Sequence, residues 1–113
     1  MNNKKDIKNF HFITQDIEGV SHEMQAEHAC KGGAKWIQLR IKEKPFEFWL
    51  KTARNVKEIC EQHQASLIIN DHVQIAREVS ADGVHLGQKD MHPDDARKIL
   101  GENAIIGGTA NTF

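Results

Sequence analysis

Ser66-Leu67-Ile68-Ile69-Asn70-Asp71 is the stretch that decides the fold. Aliphatic side chains follow one another here without a polar residue alternating among them. That pattern reads as a strand buried on both faces, the kind found in parallel sheets covered by helices. The run stops at Asn70-Asp71, so polar chemistry gathers where the strand ends, and in parallel α/β folds that is where binding sites lie. Upstream, Pro45 opens the longest expected helix, with Phe46, Trp49, Leu50, Ala53, Val56, Ile59 and Cys60 recurring at three-and-four spacing down one side. Residues 36–40 read as the strand before it. Ser21 caps a helix running to about Lys31, where Gly32-Gly33 supplies a left-handed stop. Residues 11–15 read as the first strand, whose polar end, Thr14 to Asp16, carries no motif of its own. Downstream come a short helix through Ile75, Ala76 and Val79, a strand over residues 83–86 closed by Gly87, and a helix opened by Pro93. Asp94 and Asp95 in that helix's first turn suit its dipole. A last strand spans residues 104–107. The order β-α-β-α-β-α-β-α-β predicts an α/β fold with about five parallel strands. An open flavodoxin-like sheet has the same strand count at nearly this length and is the alternative architecture.

The 113 residues fit one domain, with Lys plus Arg at 15 against Asp plus Glu at 16. A net charge of -1 offers no long-range field for nucleic acid or an acidic membrane, so neither is an expected partner. Apolar runs are only a few residues long, and Met1 to Asp6 is polar, so neither membrane spanning nor export is expected and the expected compartment is the cytoplasm. Cys30 and Cys60 have no CxxC partner and fall on the buried sides of two helices, where inert thiols sit. Seven histidines are scattered without metal-ligand spacing. Most read as surface residues, and His85, inside a strand, reads as a hydrogen-bonded interior group. The sequence contains no GxSxG motif, catalytic Cys-His pairing or P-loop.

The chemistry sits at the strand ends. At strand spacing Gln38, Arg40 and Lys42 share one face, opposite Ile37, Leu39 and Ile41, and two cations with an amide suggest a bound anion. Arg40 can fork a phosphate, whereas Lys42 acts as a mobile point charge. Asn70 offers both a donor and an acceptor. Asp71 and Asp90 both follow strand ends, and two carboxylates at one rim suit Mg²⁺, which is held by one or two carboxylates plus substrate phosphates. Gly107-Gly108-Thr109 brings backbone N–H groups and a hydroxyl close to an anion. Each feature has an ordinary reading: Asp71 as a helix cap, Asp90 as a loop acid, Asn70 as a turn residue, Arg40 and Lys42 as solvated surface. Their combination favours a site.

QLRxK (residues 38–42), IND (69–71), ADGVHLGQ (81–88) followed by Asp90, and the Gly107-Gly108-Thr109 strand end, in that order, resemble the thiamine phosphate synthase family from about His11 to Phe113. The resemblance implies a TIM barrel that joins a hydroxymethylpyrimidine diphosphate to a thiazole phosphate, releasing pyrophosphate and needing Mg²⁺. It further implies diphosphate and pyrimidine contacts from Gln38, Arg40, Lys42 and Asn70, with catalysis carried by Arg40 and Lys42. Asp71 and Asp90 would be the metal ligands and Thr109 would supply a donor-site hydroxyl. The family commonly has Ser at the position of Thr109, and a His where this chain has Asn111. A thiazole tautomerase type of relative shares the barrel, but QLRxK and both aspartates favour the synthase.

A complete barrel needs at least about 200 residues. Residues 1–113 are therefore expected to form a single partial (βα) barrel domain holding the donor half of the site. Five barrel strands cannot close, so their edges are expected to stay unpaired. A free chain is then expected to be unstable or to self-associate across those edges.

Overall fold

The apolar runs become strands in the computed structural model, which describes residues 11–87 and 90–108. The strands are β1 (His11–Ile13), β2 (Trp36–Leu39), β3 (Ser66–Asn70), β4 (Gly83–Leu86) and β5 (Ile105–Gly108). They alternate with helices α1 (His22–Lys31), α2 (Phe46–Gln62), α3 (Val73–Glu78) and α4 (Pro93–Leu100). Every neighbouring pair is parallel and the spatial order is β1-β2-β3-β4-β5. A flavodoxin-like sheet runs 2-1-3-4-5 and reverses direction at its first strand. The unbroken order here excludes that alternative and is the order of consecutive barrel strands.

One core holds these layers together. Ile37, Leu39, Leu67, Ile69, Val84 and Leu86 point from the sheet into the helix layer, where they meet Ala26, Ala53, Val56, Ile75 and Ala96. Burying one such aliphatic side chain contributes about 1.5–3 kcal/mol. Among the described residues no helix layer covers the opposite sheet face, which carries Ile13, Trp36, Gln38, Ile68, His85 and Ile105. Ile13 and Ile105 remain 39% and 38% exposed there.

Local chemistry sets the boundaries. Ser21 Oγ accepts the Met24 N–H at 3.0 Å, as expected of a cap. The left-handed residue after α1 is Gly33, at φ 106°, one beyond the cap at Gly32. Phe46, expected on the buried side of α2, is exposed because the first turn overhangs the core; its ring tilts towards His72 at 5.7 Å. β1 and β2 each end one or more residues before their expected limits. Beyond Ile13 and Leu39 the sheet ladder gives way to side chains, Thr14 Oγ1 accepting the Arg40 N–H at 3.1 Å and Asp16 Oδ2 accepting the Lys42 N–H at 2.9 Å.

The Ala81-Asp82-Gly83 segment is structural. Asp82 Oδ2 accepts the Leu67 N–H at 2.8 Å, and the Asp82 backbone carbonyl accepts the Ile105 N–H at 2.8 Å, tying the start of β4 to both neighbours. Cys30 and Cys60, distant in sequence, meet across the α1–α2 packing. Burial raises both thiols, with the neighbouring Cys30 adding to the effect on Cys60, which is pushed up to about 12. They stay protonated and unreactive.

Candidate active site

The rim at the C-terminal ends of the strands gathers most of the residues singled out above. Asp71 leaves β3 with φ 58°, a left-handed conformation that a residue with a Cβ adopts at some cost. Its N–H donates to the His85 carbonyl at 2.8 Å, holding the turn against β4. The cap of α3 is His72, whose Nδ1 accepts the Ile75 N–H at 3.4 Å, so the helix-cap reading of Asp71 does not hold. Among the described residues nothing hydrogen-bonds to the Asp71 carboxylate. Although Asp71 is exposed as a residue, partial burial of its carboxyl raises its pKa. The charge of Asp90 adds to that rise, and the charges of His72, Arg40 and His85 oppose it. Asp71 is therefore within electrostatic reach of both Asp90 and Arg40.

Asp90 closes a tight turn, its Oδ2 accepting the Gly87 N–H at 2.6 Å. Among the described residues no hydrogen bond reaches its other carboxylate oxygen. No group of three or more His, Cys, Asp or Glu side chains suited to a metal occurs among the described residues. A pair of carboxylates is nonetheless a fitting donor set for Mg²⁺, whose remaining positions are filled by water and substrate phosphate.

Beside the carboxylates, Asn70 Nδ2 donates to Gln38 Oε1 at 2.6 Å, and Gln38 Nε2 lies 3.4 Å from His11 Nε2. Gln38 is buried, 3% exposed, with its amide committed to these partners. Among the described residues no hydrogen bond reaches the Asn70 side-chain oxygen. Burial lowers the His11 pKa, and the charge of His85 acts in the same direction. Arg40 is half-buried as a residue, and its guanidinium donates from Nη1 to Gln15 Oε1 at 3.2 Å in an exposed bond; Lys42 is exposed further along the same segment. Thr109 and Asn111 lie outside the described residues, as do Gln88 and Lys89.

Three neighbours of this rim escaped the sequence reading. Thr14 and Asp16 carry no motif, and His22 was grouped with the surface histidines, yet Thr14 is fully buried and His22 is 5% exposed. A signal existed: His22, Gln25, Ala26, Ala29 and Cys30 form the buried stripe of α1, so two polar residues stand where apolar ones belong. A cleft of about 490 Å³ opens between the starts of α1 and α2, bordered by Asp16, His22, Phe48 and Lys51. Neither Asp71 nor Asp90 lines it, and the chemistry points to the rim.

Consecutive parallel (βα) units with cations and carboxylates at the strand ends define the class as a TIM-barrel-type α/β protein. Residues 10–113 match the family described as "Thiamine monophosphate synthase". The chain belongs to that family. It is 49% identical over 102 residues to a thiamine-phosphate synthase of Bacteroides thetaiotaomicron, covering 90% of this chain and 49% of the relative. It is 50% identical over 102 residues to one of Bacteroides fragilis, covering 90% and 50%. A thiamine phosphate pyrophosphorylase structure from Pyrococcus furiosus superposes with a TM-score of 0.80 at 29% identity, over 94% of this chain and 52% of that one. The chain thus spans about half the length of the curated relatives it matches. Among its described residues no helix is long and apolar enough to cross a membrane.

Proposed function

We propose that residues 1–113 act as a single unit, the donor half of a thiamine-phosphate synthase, binding hydroxymethylpyrimidine diphosphate with Mg²⁺ for transfer to a thiazole phosphate. The observation that carries this reading is the bond from Asn70 to buried Gln38 beside Asp71, whose carboxyl feels the charges of Asp90 and Arg40, in a chain of this family. Arg40 grips the diphosphate in a fork and Lys42 adds a second cation. Asn70, oriented by buried Gln38, accepts a hydrogen bond from the pyrimidine edge. Thr109 supplies a hydroxyl to the same donor. Asp71 and Asp90 would hold Mg²⁺, which when bound neutralises part of the diphosphate charge.

Transfer breaks the bond between the exocyclic methylene carbon and the diphosphate oxygen, and the thiazole nitrogen forms the new bond to that carbon. Negative charge grows on the departing pyrophosphate, where Arg40 and Lys42 stabilise it more strongly than in the ground state. The absence of a nucleophile motif from the sequence accords with this chemistry. The synthase is favoured over the tautomerase type by Arg40 and the paired carboxylates, which suit a diphosphate and its metal.

The test is thermal unfolding of the chain with Mg²⁺, the pyrimidine diphosphate, both or neither. At about 100 times the dissociation constant, a bound ligand adds roughly 2.7 kcal/mol to stability. The expected result is a rise in midpoint only when both are present. The same midpoint under all four conditions overturns the donor-site reading.

A second copy, we further propose, covers the open sheet face and the outer edges of β1 and β5. Sedimentation of the free chain is expected to give a concentration-dependent oligomer. A monomer that unfolds cooperatively across the whole concentration range contradicts self-association.

A further inference from the structure

α1 directs two polar side chains onto its buried face, His22 at 5% and Gln25 at 7% exposure. Both are fully committed to the loop after β1. His22 Nδ1 lies 2.7 Å from Thr14 Oγ1, and its Nε2 lies 2.8 Å from Asp16 Oδ1. The same two loop residues reach the other way. Thr14 Oγ1 accepts the Arg40 N–H at 3.1 Å, and Asp16 Oδ2 accepts the Lys42 N–H at 2.9 Å.

Donor and acceptor chemistry gives this chain a direction. An ionised Asp16 only accepts, so His22 carries its proton on Nε2. The Thr14 oxygen already accepts from Arg40, so its own hydrogen is free to turn to His22 Nδ1. Hydrogen bonds therefore run from Arg40 through Thr14 to His22, and from both His22 and Lys42 into Asp16. Gln25 adds a parallel tie. Its Nε2 donates to the Gln15 carbonyl at 2.8 Å and its Oε1 accepts the Gln15 N–H at 2.9 Å, while Gln15 Oε1 receives the Arg40 guanidinium.

We infer that His22 is a positioning residue for the anion site, setting the main-chain course of residues 40–42 through Thr14 and Asp16 and so aiming Arg40 and Lys42. This rests on the reading of the rim as a diphosphate site. The place in the fold explains the need: β2 pairs with β3 only as far as Leu39, so the Arg40 and Lys42 amides lie beyond the ladder. Glu43, the next residue, turns to φ 54°. Side chains anchored on a helix are what fixes the segment between a strand end and a strained turn.

His22→Phe keeps the ring volume and removes both hydrogen bonds; His22→Gln keeps one acceptor and one donor. Amide hydrogen exchange of the chain reads the brace itself, and calorimetric titration with Mg²⁺ and inorganic pyrophosphate reads its consequence. In His22→Phe the Arg40 and Lys42 amides are expected to exchange at least tenfold faster while those of Ile69 and Val84 are unchanged. Pyrophosphate affinity is expected to fall about tenfold, and His22→Gln to restore most of both. Unchanged exchange at residues 40 and 42 overturns the inference, as does faster exchange with full affinity. Should His22→Phe not fold, Asp16→Ala at an exposed position removes only the second arm. Lys42 should then exchange faster while Arg40 does not, and equal rates with the parent chain overturn the inference. A parent chain that binds no Mg²⁺–pyrophosphate defeats the anion-site reading, and the exchange rates still decide whether the brace exists.

Discussion

Asp71→Asn is expected to weaken Mg²⁺-dependent pyrophosphate binding on the order of 100-fold, because a two-carboxylate site that loses one charge loses much of its hold on a hard cation. The same substitution is expected to stabilise the free chain at neutral pH. Asn tolerates the left-handed turn at φ 58° and does not repel Asp90. The two effects separate with pH. Burial first, and Asp90 second, raise the folded-state pKa of Asp71 above 3.8, so the folded chain binds more protons than the unfolded one in that window. Asp71 thus contributes stability that is fully present below its unfolded pKa and is lost as pH rises through its folded pKa. The electrostatic part of the gain from Asp71→Asn should be absent in acid and appear as pH climbs through that window. Metal affinity of the parent chain should fall as pH drops through the same window, since a proton competes for the carboxylate. Asp16 works in the opposite sense. Desolvation opposes its ionisation but is outweighed by hydrogen bonds from His22 and the Lys42 amide and by the charges of His22 and Lys44. Its contribution is present above the unfolded pKa and is lost as pH falls through the depressed one. Thermal melts of parent and variant across pH, with calorimetry at each point, check these expectations. A variant that binds Mg²⁺–pyrophosphate like its parent removes Asp71 from the site.

Gly83→Ala is the substitution expected to damage the fold most. A Cβ there would collide with the Ile105 carbonyl oxygen and lie 2.7 Å from both its carbonyl carbon and the Ile105 Cβ. Backbone cannot step aside by changing a rotamer, so β4 and β5 must move apart where Asp82 ties them. Overpacking of this kind costs about 1–3 kcal/mol or more, and each kcal/mol lowers the melting midpoint by roughly 4–8 °C in a domain of up to about 100 residues. A fall of about 10 °C or more is expected. Gly107→Ala is the control: among the described residues the added Cβ would meet only His85 Nδ1 within 4 Å, at an ordinary 3.7 Å, and the midpoint should hardly change. Equal midpoints for parent and Gly83→Ala would show that the sheet accommodates the methyl group.

What was legible in the sequence was periodic or punctuated. Leu67 to Ile69 declared a strand buried on both faces, Trp49 to Cys60 declared one side of a helix, and Ser21 and Pro45 marked helix starts. Asn70, Asp71, Arg40 and Asp90 stood out as candidates because polar residues cluster where apolar runs stop. Partnership was not. Whether Asp71 caps a helix depends on which residue's nitrogen accepts the Ile75 amide, and only the turn geometry gives that role to His72. Gln38 reads as a side chain facing a ligand, while its burial commits it to Asn70 and His11. Thr14, Asp16 and His22 were invisible for a related reason: their bonds join residues six to 26 positions apart, and no local pattern encodes such pairing.

The uninterrupted strand order also bears on how the chain is made. Each strand pairs with the one translated just before it, so during synthesis no strand waits for a distant mate. β1 and β2 can pair once α1 has emerged, and each later βα unit finds a template already formed, with only its own helix to close. The growing sheet always offers one fresh edge, on the side from which the next strand arrives. Assembly from the N-terminus therefore needs no rearrangement of earlier strands, and the edge of β5 is that template at the last described step.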